Sequence, residues 1–104
     1  MLLVRDIMYA RPGKVRPLVE KFLKMNEIGA KMGMPVAKVM TDLSAERFWT
    51  IVAEFEVESL DRFEKMFTDM AGQDPELTKQ LEEAMKGYHD LVDWGRREIY
   101  RIEG

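Results

Sequence analysis

The chain has 104 residues, 46% hydrophobic and 34% charged, which predicts one globular domain over residues 1–104. It contains no cysteine, which excludes disulfides and a thiolate site and favours a cytoplasmic location. The net charge is −3, and the sequence has neither a long basic cluster nor an apolar run of membrane-spanning length, so we expect no nucleic-acid or membrane partner.

The first predicted elements are a strand and a helix. Residues 1–9 alternate between two partly apolar sets, as in a strand that is covered on both faces. Pro12 and Gly13 form a turn, and the apolar spacing that follows predicts a helix over residues 14–32. Gly33 can supply the left-handed cap that ends this helix.

Two further strands are predicted over residues 36–43 and 47–57, joined as an antiparallel hairpin by a short turn. The face of the longer strand that should pack on the helices comprises Trp49, Ile51, Ala53, Phe55 and Val57. Its other face comprises Phe48, Thr50, Val52, Glu54 and Glu56. Neither face is fully polar, so we expect helices to cover one and a partner to cover the other.

A second helical region is predicted over residues 59–94, followed by a last strand over residues 96–102. Residues 71–73 interrupt the apolar pattern of this region. Asp74 and Pro75 then provide an N-cap and a proline at the first helical position. We therefore expect a break and a new helix that begins at Pro75.

This order of elements predicts a ferredoxin-like βαββαβ fold of the α+β class. It has an antiparallel four-stranded sheet with the helices on one face. The other face would leave Phe48, Val52 and one apolar side of residues 2–8 without cover, which predicts a homodimer with the sheets face to face.

Two segments carry a resemblance to a known superfamily, namely YARPGK at positions 9–14 and WGRREIY at positions 94–100. With the element order, they resemble NIPSNAP-type and antibiotic-biosynthesis-monooxygenase-type members of the dimeric α+β barrel superfamily. The resemblance implies a dimeric barrel with a ligand pocket inside it or between the sheet and the helices. The superfamily includes cofactor-independent monooxygenases, lactone isomerases and haem-degrading enzymes, so the fold does not select a reaction.

The haem-degrading branch has a motif that can be compared with this chain. It places an asparagine on the first strand, a tryptophan at the end of the third strand and a histidine ligand on the following helix. This chain has Asp6 and Val57 near the first two positions, and its single histidine, His89, lies far along the last helix. The resemblance therefore implies no haem, and we predict no cofactor.

Two residues are candidate catalytic groups. Asp6 interrupts an apolar strand face, where desolvation would make its carboxylate a stronger base; the alternative is an ion pair with an arginine on a neighbouring strand. His89 is the one side chain of a type that titrates near neutral pH; the alternative is a partly exposed helix histidine. One imidazole with carboxylates is a poor transition-metal set, so we predict no metal site.

A ligand-binding set is predicted at Met8, Met40, Thr50 and Glu54. Methionine side chains can line an adaptable apolar pocket, although they often simply fill a core. Glu54 could be a semi-buried acid or could pair with a basic residue across the sheet.

The sequence leads to two hypotheses about function. The first is a protein that binds a small apolar or aromatic molecule, with or without cofactor-independent monooxygenase or isomerase activity. The second is a non-catalytic dimeric module for ligand binding or regulation. A pocket with acidic or imidazole groups beside apolar side chains favours the first, and a barrel filled by its own side chains favours the second.

Overall fold

The structure, a computed structural model, describes residues 1–70 and 74–104. Its elements are β1 (Leu2–Ala10), α1 (Val15–Lys31), β2 (Lys38–Thr41), β3 (Thr50–Val57), α2 (Leu60–Met70), α3 (Pro75–Met85), α4 (Tyr88–Leu91) and β4 (Val92–Arg101). The strands form an antiparallel sheet in the order β2-β3-β1-β4. The predicted ferredoxin-like α+β fold is confirmed.

The end of α1 shows why the connection to β2 is sharp. Gly33 has a φ of 77°, a conformation that glycine adopts without the steric cost of a Cβ. The N–H of Gly33 donates to Ala30 O at 3.2 Å, and the N–H of Met34 donates to Gly29 O at 2.9 Å. This pair of bonds is a Schellman motif, which satisfies carbonyl groups at the helix end.

A side chain of α1 holds the segment that leads into β2. The Asn26 amide donates to Ala37 O at 2.8 Å, and its carbonyl oxygen accepts from Ala37 N at 2.9 Å. Asn26 thus occupies both backbone groups of Ala37 immediately before β2 begins.

The predicted hairpin is confirmed, but its loop is longer than expected. β2 and β3 pair antiparallel from Lys38 with Glu54 to Thr41 with Ile51, so residues 42–49 lie outside the ladder. The placement of Trp49 on the core face was wrong. Trp49 has a φ of 61° and is 47% exposed, because the chain turns here and strand alternation begins only at Thr50.

The predicted helix start at Pro75 is confirmed. The Asp74 carboxylate accepts from Glu76 N at 2.9 Å, and Pro75 occupies the first helical position. α2 ends at Met70. The predicted interruption at residues 71–73 lies outside the described residues.

The boundary before the last strand differs from the prediction. The second helical region was expected to continue to residue 94, but α4 ends at Leu91 and β4 begins at Val92. Gly87, with a φ of 84°, breaks the helix, and Arg11 N donates to Leu91 O at 2.9 Å. Gly95 therefore lies in β4, where an added Cβ would meet Met8 Sδ at 2.7 Å.

The sheet has two distinct faces. The helix-facing side contains buried apolar residues that pack against α1 and α2, among them Val4, Ala10, Ile51, Ala53 and Val57. We call the opposite side the open face. In β1 it comprises Leu3, Arg5, Ile7 and Tyr9. The register aligns these four with Glu56, Glu54, Val52 and Thr50 of β3, and with Tyr100, Glu98, Arg96 and Trp94 of β4.

Within residues 1–70 and 74–104, no helix combines the length and the apolar character needed to cross a bilayer.

Candidate functional site

A pocket of about 360 Å³ lies on the open face, between the sheet and the loop of residues 42–49. We call it the open-face pocket. Its apolar lining comes from Ile7, Met40 and Val52, three strands of the sheet. Its polar lining includes Arg5, Tyr9, Arg47, Thr50, Glu54 and Arg96. This mixture of an apolar surface with a few polar groups is typical of small-molecule sites.

Tyr9 is the central aromatic residue of the pocket. It is 3% exposed. Its ring stacks on Trp94 with the centroids 5.3 Å apart and the planes at 2°. The Arg47 guanidinium lies 4.1 Å from the Tyr9 centroid, and Arg96 donates to the Tyr9 hydroxyl. The phenol is therefore held by contacts from β4 and from the 42–49 loop.

A hydrogen-bonded series runs along the open face of β4. Glu98 accepts from Tyr100 Oη at 2.7 Å and from Arg96 Nε at 2.9 Å. These bonds hold the pKa of Glu98 below its ordinary value, with the Tyr100 hydrogen bond as the larger cause. The same bond to Glu98 raises the pKa of Tyr100. Arg96 is thereby fixed in orientation beside Tyr9.

Two other arginines lie at the pocket, and their ion pairs differ in quality. Arg5 Nε donates to Glu54 Oε2 at 3.2 Å, and these side chains are 35% and 20% exposed. Arg47 Nη2 lies 3.7 Å from Asp93 Oδ2, and those side chains are 47% and 55% exposed. The Arg47 pair is longer and more hydrated, so it is the weaker of the two.

The loop that carries Arg47 is tied to the start of β3. Thr50 Oγ1 donates to Arg47 O at 2.7 Å, and Thr50 N donates to Asp42 Oδ1 at 2.8 Å. Ala10 N also donates to Trp49 O at 2.9 Å. These bonds place the backbone of Arg47 at the edge of the pocket.

Three of the four residues predicted to bind a ligand lie together. Met40, Thr50 and Glu54 line the open-face pocket. Met8 lies on the helix-facing side of β1, where its Sδ accepts from Tyr88 Oη at 3.1 Å. Their role in binding stays a prediction.

The two predicted catalytic residues lie outside this pocket. Asp6 is on the helix-facing side of β1, and Arg97 Nε donates to its Oδ1 at 2.6 Å. His89 is exposed on α4, with its ring 5.4 Å from that of Tyr88. The structure therefore does not bring Asp6 and His89 together with Glu54, and their catalytic roles stay predictions.

Tyr9, Arg47 and Arg96 were not among the predicted site residues. They come from β1, the hairpin loop and β4. The strand register brings Tyr9 and Arg96 together, and the path of the loop brings Arg47 to them. One signal was present in the sequence, since Trp94, Arg96, Glu98 and Tyr100 alternate and so share one face of a strand.

A second cleft, of about 280 Å³, lies between the end of α1 and α2. Met32, Met34 and Met66 contribute to its apolar lining, and Arg62 and Lys65 are at its rim. Two carboxylates, Glu56 and Glu58, share this rim. Its charges are thus balanced, and it contains none of the predicted site residues. Among the described residues, no group of three or more acidic, histidine or cysteine side chains is arranged to hold a metal ion.

Comparison with solved structures shows where this fold occurs. A NIPSNAP domain protein from Burkholderia xenovorans aligns with a TM-score of 0.77 at 12% identity, over 100% of this chain and 96% of that one. A NIPSNAP family protein from Agrobacterium tumefaciens gives 0.76 at 12% identity, over 96% and 90%. An antibiotic biosynthesis monooxygenase gives 0.69 at 9% identity, over 100% of both chains.

These likenesses confirm the fold that the sequence resemblance implied. At such low identity they show the fold and not an activity. No protein-family model matches the chain, and no curated protein matches it significantly.

Proposed function

We propose that this protein binds a small aromatic or apolar molecule in the open-face pocket. The observation that carries the proposal is the pocket itself. In it, Ile7, Met40 and Val52 form an apolar surface beside the ring of Tyr9, which is stacked on Trp94. A volume of about 360 Å³ falls in the range typical of small-molecule sites. A cytoplasmic location belongs to the same proposal.

The proposal includes a homodimer in which two open faces meet around a barrel. Exposed aromatic side chains support it, since Trp94 and Tyr100 on the open face are 52% and 48% exposed and Phe48 on the 42–49 loop is 81% exposed. A second sheet over this face would exclude water from the pocket and enclose a ligand.

The proposal extends from binding to a reaction, namely cofactor-independent monooxygenase or isomerase chemistry on the bound molecule. The fold shared with an antibiotic biosynthesis monooxygenase supports it. Glu54 is the predicted site residue whose carboxylate lies at the pocket, so it is our candidate for proton transfer there. The alternative is a non-catalytic binding or regulatory module, for which the Arg5–Glu54 ion pair is structural.

Binding can be tested with two aromatic probes of equal size, 2-naphthoate and 2-naphthamide. We expect at least one of them to shift the backbone amide signals of Ile7, Met40 and Val52 in NMR titrations. Val52→Trp should fill the pocket and abolish these shifts, whereas Leu23→Trp, at a 50% exposed position of α1, should not. Binding of neither probe, or shifts confined to other residues, would contradict the proposal.

Turnover needs a separate measurement. Oxygen uptake with 1-naphthol that disappears in Val52→Trp would support a monooxygenase. Binding of 1-naphthol without oxygen uptake would favour the non-catalytic module for this class of molecule.

A further inference from the structure

We propose that the ligand of the open-face pocket is an aromatic carboxylate, whose acid group is bound by Arg47 and Arg96 beside the Tyr9 ring. This inference rests on the proposed function and narrows its ligand class. Its physical basis is the weak ion pair of Arg47 and the N–H donors that Arg96 retains.

Each of the three arginines that line the pocket has a carboxylate partner. Its lining contains the guanidinium groups of Arg5, Arg47 and Arg96 and the carboxylates of Glu46 and Glu54. Arg5 and Glu54 compensate each other at 3.2 Å. Arg96 is paired with Glu98 at 2.9 Å and Arg47 with Asp93 at 3.7 Å, so an anionic ligand would bind by exchanging with the more distant of these two carboxylates. The new contact strengthens when the ligand displaces water.

Arg47 is the arginine that can most easily exchange its partner. Its contact with Asp93 is 3.7 Å long, and both side chains are about half exposed. An exposed pair of this kind contributes little to stability. A ligand carboxylate could therefore replace Asp93 at small cost, while the guanidinium stays over the Tyr9 ring at 4.1 Å from its centroid.

Arg96 can provide the second contact without losing its own support. Its Nε donates to Glu98, and its Nη1 donates to the Tyr9 hydroxyl. A guanidinium has five N–H donors, so these two bonds leave further donors on the same group. Its Cζ lies 5.8 Å from the Tyr9 centroid, so Arg47 and Arg96 both border that ring. Guanidinium groups bind carboxylates with a geometry that lysine cannot reproduce.

The rest of the pocket suits the ring of such a ligand. Ile7, Met40 and Val52 provide an apolar surface on the same face, and Met40 is an unbranched side chain that adapts to different shapes. The ring would lie on this surface with its acid group directed to the arginines.

The test compares 2-naphthoate with the neutral 2-naphthamide by isothermal titration calorimetry. We expect a Kd for naphthoate at least about tenfold lower, since a charge-assisted bidentate contact replaces a neutral one. Arg47→Gln and Arg96→Gln should each raise the Kd for naphthoate about fivefold or more. The Kd for naphthamide should stay nearly unchanged in both variants. Asp93→Asn should lower the Kd for naphthoate, because it removes the carboxylate that competes with the ligand for Arg47. The control is Arg16→Gln, an exposed arginine of α1 outside the pocket.

The outcomes separate this inference from the proposed function. Equal affinities for the two probes in the pocket would overturn the inference and leave the function standing. Binding of neither probe would overturn both. A naphthoate preference that survives in Arg47→Gln and Arg96→Gln would place the acid group elsewhere and overturn the assignment. If Arg96→Gln fails to fold, Arg96→Lys retains the charge without the forked geometry and should still weaken naphthoate.

Discussion

Asp6 and Arg97 form a bidentate ion pair across β1 and β4, with Nε to Oδ1 at 2.6 Å and Nη2 to Oδ2 at 3.1 Å. The Arg97 guanidinium also lies 5.0 Å from the centroid of the Phe63 ring in α2. Burial raises the pKa of Tyr88, and the charge of Asp6 raises it further. The Asp6–Arg97 pair therefore links the central strand β1 to the edge strand β4, on the side of the sheet opposite the open-face pocket.

The first prediction is that Asp6→Asn destabilises the fold without changing binding. The Asp6 side chain is only 15% exposed, so loss of its charge should cost about 1–2 kcal/mol, reduced by the hydration of Arg97 at 44% exposure. Urea unfolding of Asp6→Asn, Arg97→Gln and the double variant measures the coupling. Because Asp6 faces the helices, the Kd of 2-naphthoate should stay unchanged. A Kd that changes with no loss of stability would instead indicate that Asp6 takes part in ligand binding.

The second prediction concerns the start of α3. Asp74→Ala removes the acceptor for Glu76 N and should cost about 1 kcal/mol. Asp74→Asn should retain most of this stability, because asparagine is also a good N-cap. Glu82→Ala, at an exposed position inside the same helix, is the control. Equal stability of Asp74→Ala and wild type in thermal or urea unfolding would contradict the role of the cap.

The third prediction follows from the lowered pKa of Glu98. Since the folded-state pKa lies below the unfolded-state value of about 4.3, the charged carboxylate stabilises the fold above that pH. This stabilisation disappears as the pH falls through the folded-state pKa. Tyr100→Phe removes the larger cause, so the pKa of Glu98 in a carboxyl NMR titration should rise towards its ordinary value.

Leu23→Phe, at an exposed site on α1, is the matched aromatic control for this titration. An unchanged pKa of Glu98 in Tyr100→Phe would show that the hydroxyl bond does not act as described.

The fourth prediction is a two-fold dimer that buries on the order of 1,600 Å² or more in total. Phe48 is 81% exposed on the loop beside the open face, so Phe48→Glu should shift the protein towards monomer in light scattering at micromolar concentration. Leu23→Glu, which places the same charge on the exposed side of α1, should leave the mass unchanged. A monomeric wild type would falsify the dimer.

Local patterns in the sequence predicted most of the fold, and they failed where two patterns overlap. The helix start at Pro75 and the pairing of β2 with β3 depend on nearby residues, so they could be read directly. Leu91 and Val92 continue a helical stripe, but Val92 also begins a strand, and only pairing with β1 decides between them. Trp49 fits strand alternation, although its left-handed backbone places it in a loop.

The site was less predictable, because its parts meet only through tertiary structure. Alternation showed that Thr50 and Glu54 could share a face of one strand, but not which side of the sheet Asp6 would occupy. The position of Arg47 over Tyr9 depends on the geometry of the 42–49 loop. A single sequence carries no register between β1 and β4, so the Tyr9–Arg96 contact had no local signal.

The bond pair between Asn26 and Ala37 has a consequence for aggregation. β2 is an edge strand, and an unpaired edge offers backbone N–H and C=O groups on which another chain can build a strand. The Asn26 side chain forms hydrogen bonds with both the N–H and the C=O of Ala37. The Schellman motif at Gly33 turns the chain towards this contact. Helix α1 therefore satisfies the backbone groups next to β2, which has only four residues. Less unpaired backbone remains for β-pairing with another molecule.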